Sequence, residues 1–175
     1  LDDLVTATIE AEKLKPIGIY FTPQPLTGLS TIGLRQAKGG TLANDSNVIR
    51  YQWLLLDFDP VRPKKTNATD EEKACAFDIM KKTYRWLKKL GFPEPLFADS
   101  GNGGHLMYRV NLAITDKQLY KEVLESLSFR FSTERATVDT SVYNPSRIWK
   151  LYGTAARKAA AIEGTAGQER QTARP

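Results

Sequence analysis

The chain has 175 residues, 41% hydrophobic and 26% charged, which is the composition of an ordinary globular domain with enough apolar content for one good core. Its net charge of +5 is compatible with a polyanionic partner, but without a long Lys/Arg block it does not by itself specify one. The single cysteine, Cys75, excludes an internal disulfide and a cysteine-rich zinc site, and the absence of a signal peptide or an apolar run of spanning length leads to the expectation of a cytoplasmic protein with no membrane partner.

Leu1 to Lys15 spaces Leu1, Leu4, Val5 and Ile9 as one face of a helix, and Pro16 halts it before an extended run, Ile17 to Thr22. Pro23 to Asp45, rich in Gly, Thr, Pro and Ser, reads as a long excursion. From Val48 to Asp59 the near-continuous apolar run through Tyr51, Trp53, Leu54, Leu55, Leu56 and Phe58 predicts a central strand covered on both faces, ended by Pro60 and Pro63. Thr69 with Glu72 three residues on opens a helix that carries Phe77, Met80, Tyr84 and Leu87 on one face until Gly91 closes it. Lys81, Arg85 and Lys88 flank that stripe and read as a solvated face with no assigned role.

Two further strands, Leu96 to Asp99 and His105 to Val110, flank a Gly-rich turn. Thr115 is placed to cap a helix whose core residues are Leu119, Val123, Leu124 and Leu127. An extended pair, Thr137 to Val142 and Arg147 to Tyr152, closes the ordered part. The alternation predicts a two-layer α+β fold, with helices on one face of a mostly antiparallel sheet and the other face left for a substrate. One domain is expected over 1–154. Residues 155–175 read as a flexible tail or a truncated continuation, and the chain, which starts without Met, as a piece of a longer protein.

Three blocks carry chemistry. Asp57 and Asp59 end the central strand, where alternation puts both carboxylates on one face and Phe58 on the other. Two such carboxylates repel unless a divalent cation joins them, so the pair predicts a site for Mg²⁺ or Mn²⁺; a solvated strand end is the plainer alternative. In Asp99-Ser100-Gly101-Asn102-Gly103-Gly104-His105 the glycines allow backbone N–H groups to approach phosphate oxygens, while Ser100 and His105, the chain's one histidine, add donors. Parity puts His105, Met107 and Arg109 on the open face and Leu106, Tyr108 and Val110 on the helix face. In the third block, Asp139 is a third carboxylate in an apolar strand context and Arg147 suits bidentate contact with a triphosphate. A regular strand would turn Lys150 away from the face of Arg147, making it a weaker candidate.

In this order the blocks resemble the three motifs of the archaeo-eukaryotic primase superfamily: a hydrophobic strand ending in Asp-x-Asp, a Ser-Gly-x-Gly-x-His-like turn, and a hydrophobic-Asp strand. The resemblance runs from about Ile19 to Lys158 and is strongest to primase-polymerases of mobile elements, phages and some CRISPR-associated loci. It implies an RRM-like palm sheet plus an N-terminal α/β unit. It also implies a DNA primase or polymerase in which Asp57, Asp59 and Asp139 bind the catalytic Mg²⁺ or Mn²⁺. By the same resemblance Ser100 and His105, with Gly101 and Gly103 in their turn, hold the phosphates of a dNTP or NTP, Arg147 neutralises them, and Lys150 lies nearby. Tyr20 would pack under the incoming sugar, a core aromatic being the plainer reading. The implied partners are a DNA template and primer, with a helicase or CRISPR-associated partner for the full-length protein. Two competitors are an RRM-like nucleic-acid-binding module without catalysis and an Asp-x-Asp phosphohydrolase, the latter disfavoured because the chain lacks the strand-helix alternation of a doubly wound sheet.

Overall fold

The computed structural model describes residues 2–27 and 43–157; Leu1, part of the predicted excursion and the tail from residue 158 lie outside the described residues. In chain order the elements are α1 (Asp2–Lys13), β1 (Tyr20–Phe21), β2 (Arg50–Pro60), α2 (Asp70–Lys89), β3 (Leu96–Asp99), β4 (Gly104–Ala113), α3 (Lys117–Phe131), β5 (Ala136–Val138) and β6 (Trp149–Lys150). Single 3₁₀ turns occupy Asp45–Asn47, Ile114–Asp116 and Thr140–Tyr143. No helix among the described residues is long and apolar enough to cross a membrane.

The run β2-α2-β3-β4-α3-β5 makes a four-stranded antiparallel sheet in the order β3-β4-β2-β5, the split β-α-β arrangement of an RRM-like domain. β2 is central because its apolar run has to be covered on both sides: Leu54, Leu55, Leu56 and Phe58 are all buried. Gly104 pairs with Phe58 and faces Met80 of α2, so by alternation Leu106, Tyr108, Leu54 and Leu56 share the helix-covered face. The helix starts and stops follow the local sequence. Glu72 N donates to Thr69 Oγ1 at 3.2 Å while Thr69 N donates to Glu72 Oε2 at 2.8 Å, a reciprocal cap whose loss typically costs about 1 kcal/mol. Beyond α2, Gly91 at φ 87° lets Phe92 N reach back to Leu87 O at 3.1 Å.

Among the described residues no strand pairs with the second edge of β2 between Tyr51 and Asp57, and side chains and a loop satisfy it instead. Gln24 Oε1 accepts from Gln52 N (2.7 Å) and Trp53 N (3.1 Å) while its Nε2 donates to Trp53 O (2.8 Å). The hydroxyl of Tyr120 accepts from Leu55 N at 2.6 Å, and Asp139 N donates to Asp57 O at 2.9 Å. Buried backbone groups need partners, and this requirement ties three distant segments to the strand that carries the aspartate pair.

Several expectations are corrected. α1 forms over nearly the predicted span, yet none of its residues is buried and Leu4, Val5 and Ile9 are exposed. The N-terminal α1 and β1 stand outside the four-stranded sheet, with β1 in a separate two-stranded sheet against β6 (Tyr20 opposite Lys150, Phe21 opposite Trp149), and only two residues of the predicted Ile17 to Thr22 run are in strand. The predicted closing segments shorten likewise to β5 and β6, which join different sheets, β5 against β2 and β6 against β1. β5 stops at Val138 because the Asp139 side chain accepts from Ser141 N and starts a 3₁₀ turn. α3 begins after Asp116 rather than at Thr115, because the Asp116 carboxylate takes Ala113 N at 3.0 Å and closes a 3₁₀ turn first. Its phase then buries Tyr120, Leu124 and Leu127 and leaves Leu119 half exposed. The ordered part also continues past residue 154: Ala155 N donates to Glu12 Oε1 at 2.9 Å, and Arg157 Nη2 pairs with Glu12 Oε2 at 2.8 Å.

Candidate functional site

The second face of the sheet is not open as expected. The β1–β6 ribbon and the residues after it cover the end of β2 and β4, and a cavity of about 290 Å³ remains between the two layers. Asp57, Asp59, Ser100, His105 and Arg147 line it, brought from three separated stretches of chain. Tyr20 and Lys150, register partners in the β1–β6 ribbon, complete its wall, whereas Gly101, Gly103 and Asp139 are not part of the lining. A second cavity, about 760 Å³, lies against α2 and is lined by Cys75, Ile79 and Arg135 among others; it contains none of the predicted site residues.

Alternation along β2 places Asp57 and Asp59 side by side on the cavity face, as expected, and Asp57 stands directly opposite His105. Each aspartate has a basic or imidazole neighbour. Asp57 Oδ1 lies 3.3 Å from His105 Nε2, Asp59 Oδ1 3.5 Å from Arg62 Nη1, and Asp139 Oδ2 3.4 Å from Arg147 Nη2. The Asp139 carboxylate also accepts from Ser141 N (2.7 Å) and Ser141 Oγ (3.0 Å), so it caps a turn while its own N–H holds the Asp57 carbonyl. Among the described residues no group of three or more His, Cys, Asp or Glu side chains converges as a ready metal cage.

The Gly-rich turn differs from the phosphate cradle expected of it. Gly101 N donates to Asp99 Oδ1 at 2.7 Å and Gly103 N to Ser100 Oγ at 3.0 Å, so these two N–H groups are used within the turn. Gly101 is needed for its φ of 92°, and Gly103 for space, since a Cβ there would lie 2.1 Å from Phe58 O. Ser100 reaches the cavity wall and keeps a hydroxyl proton to donate. Lys73 Nζ anchors the turn from α2, 2.5 Å from Asp99 Oδ2.

His105 is buried, only 4% exposed. Its ring stacks on Trp149 with centroids 3.9 Å apart, and its Nδ1 lies 3.0 Å from the Tyr152 hydroxyl. Trp149 Nε1 donates to the same hydroxyl at 2.6 Å, and burial raises the Tyr152 phenol well above its ordinary value, which keeps it protonated. Lys150 is buried as well; its ammonium donates to Leu151 O and to both oxygens of Thr154, and burial lowers its pKa. It nevertheless lines the same cavity as Arg147, contrary to the strand parity, because Arg147 precedes the two-residue strand and is not on its pleat. Tyr20 is partly exposed with its ring against Gly18, where a Cβ would lie 2.8 Å from its hydroxyl, so it is a cavity wall and not a core aromatic.

No protein-family model, curated protein or solved structure matches the chain. The chemistry of the site therefore rests on its own geometry.

Four contributors escaped the sequence reading. Trp149 and Tyr152 belong to the third block, but nothing in their spacing announces that they would fold over His105. Asn102 lies in the quoted turn and also lines the cavity; its Oδ1 accepts from Ala68 N at 2.7 Å, and its buried Nδ2 has no partner among the described residues. Gln24 sits in a stretch read as irregular. Its signal would have been an amide side chain near an unpaired strand edge, which is visible only once the sheet order is known.

Proposed function

We propose that this chain is the catalytic domain of a metal-dependent nucleotidyltransferase that extends nucleic-acid primers on a DNA template. The observation that carries the reading is the convergence on one cavity of two adjacent carboxylates, Arg147, Lys150, Ser100 and the single histidine, drawn from segments up to 93 positions apart in sequence, from Asp57 to Lys150. Acids beside a cluster of cationic and hydroxyl donors suit a polyphosphate bound with a divalent cation.

The donor set fits such a cation in part. Asp57 and Asp59 offer hard oxygen ligands on one face of one strand, and they would hold Mg²⁺ or Mn²⁺. Asp139 is tied by its backbone to Asp57 but turns its carboxylate to Ser141 and Arg147, and it joins the set only by exchanging the Arg147 contact. When bound, the metal would activate the primer oxygen and stabilise the leaving pyrophosphate. Arg147 and Lys150 neutralise phosphate charge, and Ser100 donates a hydroxyl proton to a phosphate oxygen. His105 orients Asp57 and faces the same oxygens. Tyr20 bounds the region an incoming sugar would occupy. The β1–β6 layer helps to bury His105 and Lys150, which strengthens their interactions.

The test is extension of a labelled primer on a DNA template with Mg²⁺ or Mn²⁺, using dNTPs and NTPs. Extension by the wild type, reduced at least about a hundredfold in folded Asp57→Ala, is the expected result. Wild-type rates in the folded variant would overturn the assignment, and template binding without extension would favour a non-catalytic RRM-like module. A helicase or CRISPR-associated partner of a longer protein belongs to the same proposal.

A further inference from the structure

The contacts around His105 contain more information than its proximity to Asp57. Trp149 Nε1 carries a proton and no lone pair, so in its 2.6 Å contact with the Tyr152 hydroxyl it is the donor. The single phenolic proton of Tyr152 must then go elsewhere. Among the described residues two acceptors are in reach, His105 Nδ1 at 3.0 Å and Met107 Sδ at 3.4 Å, and an imidazole nitrogen is a far better acceptor than a thioether. A neutral imidazole that accepts at Nδ1 carries its own proton on Nε2, the nitrogen 3.3 Å from Asp57 Oδ1. The opposite tautomer would point a lone pair at that carboxylate and leave the Tyr152 proton only the sulfur. Both ends of the ring thus favour the same arrangement, and stacking on Trp149 restricts rotation of the ring.

We infer that Tyr152, held by Trp149, is a positioning residue that fixes the tautomer of His105 so that the ring always presents Nε2–H to the cavity. A nitrogen that keeps its proton cannot ligate a metal, so His105 serves an anionic oxygen: the Asp57 carboxylate in the free protein and a phosphate oxygen of the substrate when one is bound. The phosphate half of this inference rests on the nucleotidyltransferase reading, whereas the tautomer half stands on the geometry alone. Burial supports it by keeping the Tyr152 hydroxyl protonated.

Because His105 is the only histidine in the chain, one imidazole spin system reports on it without ambiguity. The experiment is two-bond ¹H–¹⁵N correlation on the labelled full chain, held about two pH units above the ordinary imidazole value of about 6.5. The expected pattern is a single tautomer protonated at Nε2 in the wild type and a mixture in Tyr152→Phe, which keeps the ring and deletes the hydroxyl. A wild type protonated at Nδ1 or at both nitrogens, or a Tyr152→Phe spectrum identical to the wild type, would overturn the inference. If that variant does not fold, the wild-type pattern alone decides. Adding inorganic tripolyphosphate with Mg²⁺ should shift the Nε2 resonance in the wild type, and Tyr152→Phe should raise the KM for the nucleotide about tenfold with a smaller change in kcat. An unmoved resonance with the Nε2–H tautomer intact would refute the phosphate role while leaving the positioning role standing.

Discussion

Replacing Gly103 with alanine tests how rigidly the Gly-rich turn is seated on the catalytic strand. The added Cβ would lie 2.1 Å from the Phe58 carbonyl oxygen, 3.2 Å from its carbon and 3.4 Å from Asp59 Cα. Normal packing separates carbon atoms by about 3.5 Å, so the turn and the strand would have to part by more than about 1 Å. Neither can yield easily. Phe58 is paired with Gly104 on one side and Val138 on the other, and Ser100 Oγ, Asp99 and Lys73 hold the turn. Overpacking against movable side chains costs about 1–3 kcal/mol, and against pinned backbone the loss should reach or exceed the upper figure, about 3 kcal/mol. For a domain of this size that corresponds to a fall of about 6–12 °C in melting temperature. Two controls calibrate the result. Gly104→Ala meets the flexible Met80 Sδ at 2.5 Å and should cost less, while Gly91→Ala meets nothing within 4 Å and should cost only the backbone strain of φ 87°, about 1–2 kcal/mol. Urea denaturation of the three variants gives the order directly. Gly103→Ala within about 0.5 kcal/mol of wild type, or no worse than Gly104→Ala, would refute the reasoning.

Tyr120→Phe should lower stability by about 1–3 kcal/mol, because Leu55 N loses its buried partner at the β2 edge; chemical denaturation checks it, and an unchanged midpoint would mean that edge is hydrated. Tyr108→Phe should be neutral or stabilising by up to about 1 kcal/mol, since the Tyr108 hydroxyl is buried without a partner among the described residues. Alkaline pH should destabilise the fold. Burial pushes the phenols of Tyr51 and Tyr108 up to about 12, so between about 10, where an unfolded tyrosine ionises, and 12 the unfolded state releases protons that the folded state keeps, and stability falls as pH rises. Circular dichroism against pH should show this loss beginning above about pH 10. Arg147→Ala should raise the KM for the nucleotide at least tenfold with a folded protein, because the cavity loses its guanidinium; unchanged steady-state kinetics would remove Arg147 from the proposed site.

The local signals and the elements they produced explain where sequence reasoning worked. The α2 helix was readable because its start and stop are made by residues within one turn of its ends, Thr69 with Glu72 and Gly91. The β2 strand was readable because eight consecutive positions, Tyr51 to Phe58, carry almost unbroken apolar character. The two-layer α+β class followed from the order of such elements. α1 shows the opposite case: its spacing predicted a helix, and a helix forms, but periodicity cannot say whether a stripe finds anything to cover it. Parity along β4 correctly separated His105 from Leu106, yet which face stays open depends on where a two-residue ribbon from both ends of the chain settles.

The sequence by itself therefore determined α2, β2, the sheet class and the side of β2 on which Asp57 and Asp59 stand, since these depend on caps, glycines and alternation acting over a few residues. Tertiary structure alone decided that β1 pairs with β6, that Gln24, Tyr120 and Asp139 close the exposed edge of β2, and that Trp149 and Tyr152 cover His105. Those arrangements follow from buried hydrogen-bonding groups that must find partners, and the partners come from segments tens of residues apart, a distance over which no sequence periodicity carries information.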